Sequence, residues 1–96
     1  MSDTVHPPLD REPRRIRPPF DAATYAPTER QAEETAEAWR ARVHTDRVAA
    51  LTEALDRVEL GAYDRRIIEW LADWEVSTVG TVASLFYRAR QAGGRR

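Results

Sequence analysis

The sequence has no cysteine, so disulfides, cysteine–zinc sites and thiol catalysis are excluded. It has no lysine either, and all 15 basic residues are arginine. That usage reads first as the codon bias of a GC-rich bacterial genome. No apolar run approaches the roughly 18 residues of a membrane span, and the N-terminus has no signal-peptide apolar core. A cytoplasmic location is the corresponding expectation. The net charge of −1 argues against a strongly basic nucleic-acid coat or a strongly acidic tail protein. With 96 residues there is room for one small domain.

Motifs for catalysis are also missing. There is no P-loop, no G-x-G-x-x-G and no G-x-S-x-G. The two histidines, His6 and His44, have no companion at metal-ligand spacing. Asp64, Glu69 and Asp73 lie beside Arg65 and Arg66 and read as a solvated helix face rather than an acid–base pair in a cleft. The sequence therefore predicts a non-enzymatic protein with no catalytic residue, cofactor, metal or small-molecule substrate.

What remains is strongly patterned. All six prolines lie in residues 1–27, where few apolar side chains offset the entropy of ordering. This segment predicts an extended or disordered Pro/Arg-rich arm. From Thr28 to Gln91 there is no proline, and the only glycines are Gly61 and Gly80. That region predicts a helical domain over 28–92, followed by a Gly/Arg tail at 93–96.

Thr28 and Gln31 have the spacing of a capping box. Apolar residues at Ala36, Trp39, Val43, Leu51, Leu55 and Val58 continue at helical spacing. A first helix over about 28–60 follows, about 50 Å long, with a bend or restart at His44–Asp46 and a stop at Gly61. A second helix is expected over about 63–74. Tyr63, Ile67, Trp70, Leu71 and Trp74 share its face, Asp64 caps it, and Tyr63 staples onto Ile68. A third is expected over about 78–92, capped by Ser77, with Val79, Val82, Leu85 and Phe86 as its stripe. The valines and threonines at 76–82 favour strand as the competing assignment. The expected fold is all-α, three or four helices around Leu51, Leu55, Val58, Ile67, Leu71, Val82 and Phe86.

Such a core supplies only about 3–5 kcal/mol, which favours self-association or a protein partner. Three tryptophans are many for so small an interior. Trp70 is expected in the core. Trp39 and Trp74, with Val43, are candidate interface residues. Phe20 and Tyr25 are candidate anchors for the arm, on a partner or on its own domain.

Charge is unevenly spread. Residues 28–78 are acidic, whereas residues 79–96 hold Arg88, Arg90, Arg95 and Arg96 and no acid. Residues 63–90 read as two short helices joined by a tight turn. This resembles a helix-turn-helix, and in detail the opening of a winged-helix DNA-binding domain. Ile67, Ile68, Leu71 and Ala72 match the apolar positions of the first helix there, and Val82, Ala83, Leu85 and Phe86 those of the second. The likeness covers about a third of the chain. In that family a further helix reads the major groove, and the residues that follow Arg90 do not supply one. In the other register residues 78–91 are the recognition helix. Thr78, Thr81, Ser84, Arg88 and Arg90 then face outward, with Arg95 and Arg96 behind them, as candidate nucleic-acid contacts. Trp70-Leu71-Ala72-Asp73-Trp74 and Thr81–Arg90 also resemble a pattern found in small proteins of GC-rich bacteria.

These features predict an accessory or regulatory protein acting through helix-mediated protein–protein contact, as an oligomer or with a partner. The alternative is a DNA-binding regulator that uses residues 78–90 and the C-terminal arginines.

Overall fold

The computed structural model describes residues 6–20, 22 and 29–93. Three helices follow one another: α1 (Ala36–Ala54), α2 (Ala62–Leu71) and α3 (Val76–Gly93). No strand occurs among the described residues. The fold is all-α, as the periodicity predicts, and α1 packs against both other helices.

Helix α1 is shorter than its sequence pattern suggests. It begins after Thr35, whose extended backbone and hydroxyl make it the N-cap, accepting from the Ala38 N–H at 3.0 Å. Residues 29–33 are all exposed. They are good helix formers with no apolar side chain larger than alanine to bury, and propensity without packing gives little helix. Instead Glu34 ties the preceding turn together. Its carboxylate accepts from the Gln31 N–H at 3.0 Å and from Arg42 Nε at 2.8 Å. The proposed cap at Thr28 lies outside the described residues. Across His44–Asp46 the helix runs without a break. It ends before Leu55, and Arg57 takes a left-handed φ of 72°. The chain therefore turns four residues ahead of Gly61.

Gly61 is not the stop of α1 but the N-cap of α2. Its N–H donates to Asp64 Oδ2 at 2.9 Å, so Asp64 acts from the third helical position rather than as the cap itself. Past Leu71 the backbone tightens: the Asp73 N–H donates to the Trp70 carbonyl and the Trp74 N–H to the Leu71 carbonyl. Arg47 on α1 then donates to the Trp74 carbonyl at 2.6 Å, which fixes the α2–α3 turn against α1.

Helix α3 absorbs the valine–threonine stretch, so tertiary packing overrides strand propensity there. It starts at Val76. The Glu75 carbonyl receives the Thr78 and Val79 N–H groups, and Ser77 lies inside the first turn. Val79, Gly80, Ala83 and Ser84 are its buried residues.

The largest departure from expectation concerns the arm. Residues 6–20 are irregular, yet they lie on the helices. Ile16 and Phe20 are in the buried core with Ala50, Leu51, Ala54, Ile68, Val79 and Ala83, and Leu9 packs against it. Gly80 explains how the arm fits. Its φ is not positive, so the helix does not need glycine for conformation. A Cβ there would stand 3.0 Å from Pro13 Cγ and run into the Arg15 carbonyl oxygen. The missing side chain is the notch through which the proline-containing segment crosses α3. Polar contacts hold both ends. Arg17 bridges Asp46 at 2.9 Å and Glu53 at 2.8 Å on α1. The His6 N–H donates to Gln91 Oε1, and the His6 ring stacks on Tyr87 at 4.8 Å.

The core is correspondingly displaced from its expected position. Leu51 is fully buried, and Leu55, Leu71, Val82 and Phe86 pack around the centre. Val58, Ile67 and Trp70 are exposed. The apolar area expected of Ile67 and Trp70 is supplied by Ile16 and Phe20.

Candidate protein interface

Helix α2 carries two apolar faces. Ile68 and Ala72 are buried and Leu71 packs against the core. On another side of the same helix Tyr63 is 70% exposed, Ile67 37% and Trp70 55%, and Trp74, in the turn past the helix end, is 44% exposed. The spacing of the first three, +4 and +3, keeps them in one line along the helix. The staple expected from Tyr63 to Ile68 is therefore not made; Tyr63 points with the outer set. Trp70 and Trp74 pack edge to face, with ring centroids 5.7 Å apart and planes at 79°. Exposure of three aromatics and an isoleucine on a ten-residue helix and the turn after it is unusual for a surface with nothing to bind.

Its surroundings are polar and fixed at one end. His44 Nδ1 lies 3.0 Å from Asp73 Oδ1, and the Asp73 side chain is 71% exposed. Arg47 anchors the Trp74 carbonyl. Burial pulls the Arg47 guanidinium below its ordinary value, opposed by the nearby Asp46 and Asp73 carboxylates. Along the rest of α2, Asp64, Arg65, Arg66 and Glu69 are all exposed.

The structure divides the expected interface residues. Trp74 lies on the outward stripe. Trp39 and Val43, one turn apart on α1, are half-buried. Phe20 is 5% exposed, with its ring 6.0 Å from that of Tyr87, so it anchors the arm on its own domain and is not available to a partner. Tyr25 lies outside the described residues. Sequence reasoning missed Tyr63, Ile67 and Trp70 as surface residues. The signal was present: one ten-residue helix cannot bury two apolar faces in a single small core.

The expected nucleic-acid contacts are placed as follows. Ser84 is fully buried and accepts from Arg88 Nε at 3.2 Å, which corrects its expected outward position. The arm crosses beside it at Gly80. Thr78 and Thr81 are half-buried, and the Thr81 hydroxyl donates to the Ser77 carbonyl at 2.7 Å. Arg90 donates to the Ala54 carbonyl at the end of α1 and lies 5.6 Å from the Tyr87 ring centroid. Arg95 and Arg96 lie outside the described residues. Ser84, Arg88 and Arg90 thus each make an intramolecular contact, with Arg88 half-buried and Arg90 exposed.

No group of three or more metal-ligating side chains occurs among the described residues. No helix among them is long and apolar enough to cross a membrane. Compared with protein-family models, with curated proteins and with solved structures, the chain matches none.

Proposed function

We propose that the chain is a small non-enzymatic accessory or regulatory protein that works through helix-mediated protein–protein contact. The outward stripe of α2 is the contacting surface. One observation carries this reading: Tyr63, Ile67 and Trp70 form an exposed apolar line on a helix whose neighbouring face, at Ile68, is already buried, and exposed Trp74 in the following turn extends it. Full burial of a large apolar side chain is worth about 1.5–3 kcal/mol, and these half-exposed aromatics forgo a part of it that an interface recovers. Tryptophan and tyrosine are also the residues that most often dominate interface energetics. Recognition by a line of side chains at helical spacing fits a partner helix or groove. A lipid surface fits less well. The polar side chains of residues 62–75 are Asp64, Arg65, Arg66, Glu69, Asp73 and Glu75, with more acid than base, which disfavours anionic headgroups. The helix-turn-helix reading draws no support from the placement of Ser84, Arg88 and Arg90.

In-cell photo-crosslinking tests the proposal. A photoreactive residue at Tyr63 is expected to give a discrete protein adduct, lost on Trp70→Ala. The same probe at exposed Arg40 on α1 is expected to give none. Absence of any adduct from Tyr63 would contradict the reading.

A further inference from the structure

The two ends of the arm are held by different chemistry. Toward Phe20 the hold is deep. Ile16 and Phe20 are buried, Pro13 sits at the Gly80 notch, and Arg17 bridges Asp46 and Glu53. The Arg17 hydrogen bond keeps the Glu53 carboxyl below its ordinary value, so this bridge stays ionised in mild acid. Toward His6 the hold is slighter. Leu9 packs against the core while partly exposed, the His6 N–H donates to Gln91 Oε1 at 3.1 Å, and the half-buried His6 ring stacks on Tyr87 with planes at 27°.

That stack has a charged neighbour. The Arg90 guanidinium stands 5.6 Å from the same Tyr87 centroid. A neutral imidazole lies on the phenol ring without electrostatic conflict. An imidazolium brings a second cation to a ring whose attraction for cations Arg90 already engages. Nothing around the stack offsets the added charge. Glu53 on α1 acts on Tyr87, but Arg17 is already paired with it. Burial pushes the Tyr87 phenol up, so it stays neutral. The charges about the stack are therefore Arg90 from α3, Arg17 from the arm and the paired Glu53 from α1.

We infer that the arm carries an acid-operated latch at His6. Protonation of the His6 ring frees residues 6–12 from α3 and uncovers Tyr87 beside Arg90, while Ile16, Arg17 and Phe20 keep the rest of the arm in place. Burial, and after it the Arg90 charge, hold the docked His6 below its ordinary 6.5. A base lowered in this way favours the docked form above pH 6.5, and that preference is lost as pH falls from 6.5 through the docked value. Histidine is the side chain suited to such a change in mild acid.

Nuclear magnetic resonance of the full chain between about pH 8 and about pH 5 tests the latch. The His6 ring is expected to titrate with a midpoint below 6.5 and to lose its nuclear Overhauser contacts to Tyr87 across the same titration. The contacts between Phe20 and Tyr87 are expected to persist. Arg90→Gln removes the neighbouring charge and is expected to move the His6 midpoint up toward 6.5. His6→Phe keeps a stacking ring with no proton to gain. In that variant the Leu9 methyls are expected to stay shielded from a soluble paramagnetic probe over the whole range, whereas in the parent chain they become accessible in acid. Contacts to Tyr87 that survive protonation of His6, a midpoint at or above 6.5, or acid release that persists in His6→Phe would each overturn the latch. Loss of the Phe20 contacts together with those of His6 would overturn it too, because the whole arm would then be leaving at once.

Discussion

The arm and α2 exchange the roles that their compositions suggest. Residues 6–20 are rich in proline and arginine, yet Ile16 and Phe20 are among the most buried large side chains. Helix α2 has the clearest apolar stripe in the sequence, yet that stripe is turned outward. Periodicity shows that a face is to be covered and leaves open what covers it. Three well-placed apolar residues in an irregular segment, Leu9, Ile16 and Phe20, suffice when a notch such as Gly80 lets the backbone approach.

This contrast is broken most severely at Phe20. Phe20→Ala is expected to cost about 3–5 kcal/mol, close to the whole stability of a core this size. Trp70→Ala in dilute solution is expected to change it by no more than about 0.5 kcal/mol. Urea titrations followed by circular dichroism read both. Comparable losses at the two sites would contradict the assignment.

Gly80→Val comes next. A side chain there meets the Arg15 carbonyl, so the arm must lift and Ile16 and Phe20 lose cover. A loss of about 2–3 kcal/mol is expected. Proteolysis should then cleave within 13–20 faster than in the parent chain. Unchanged protection would show that the arm does not cross at Gly80.

Smaller still is Arg17→Gln. The guanidinium is held above its ordinary value chiefly by its hydrogen bond to Glu53, then by Asp46, against the cost of burial. Both carboxylates are about half exposed, so solvent screening limits the loss to about 1 kcal/mol. High salt should shrink the difference between variant and parent.

The smallest effect lies at the start of α1. Arg42, together with the Gln31 N–H, holds the Glu34 carboxyl down to about 2. A carboxyl lowered on folding stabilises the folded chain above its unfolded value near 4.5, and that contribution fades as pH falls toward 2. Carboxyl chemical shifts should show a Glu34 midpoint well below that of an ordinary glutamate. Arg42→Gln should move it upward. A midpoint unaffected by Arg42→Gln would remove the ion pair from the account.

Much of the fold was legible. The three helices, their order, the all-α class and the core position of Leu51 follow from proline and glycine placement and apolar spacing. The helix ends were less so. Residues 29–33 have helical propensity and nothing to pack, and Arg57 rather than a glycine adopts the left-handed turn. The candidate interface was half legible. The surplus of tryptophan marks Trp74, whereas local pattern points Trp70 inward because it does not carry the arm's contribution to the core. Gly80 carried the missing signal. A glycine inside a helix, with no positive φ to explain it, marks where another backbone passes.

A soluble paramagnetic probe, added to the dilute chain and read on assigned aromatic resonances, tests the inversion of arm and stripe in one experiment. Strong broadening of Tyr63 and Trp70, with Phe20 spared and retaining its nuclear Overhauser contacts to Tyr87, is the predicted result. Protection of Trp70 together with broadening of Phe20 would contradict it.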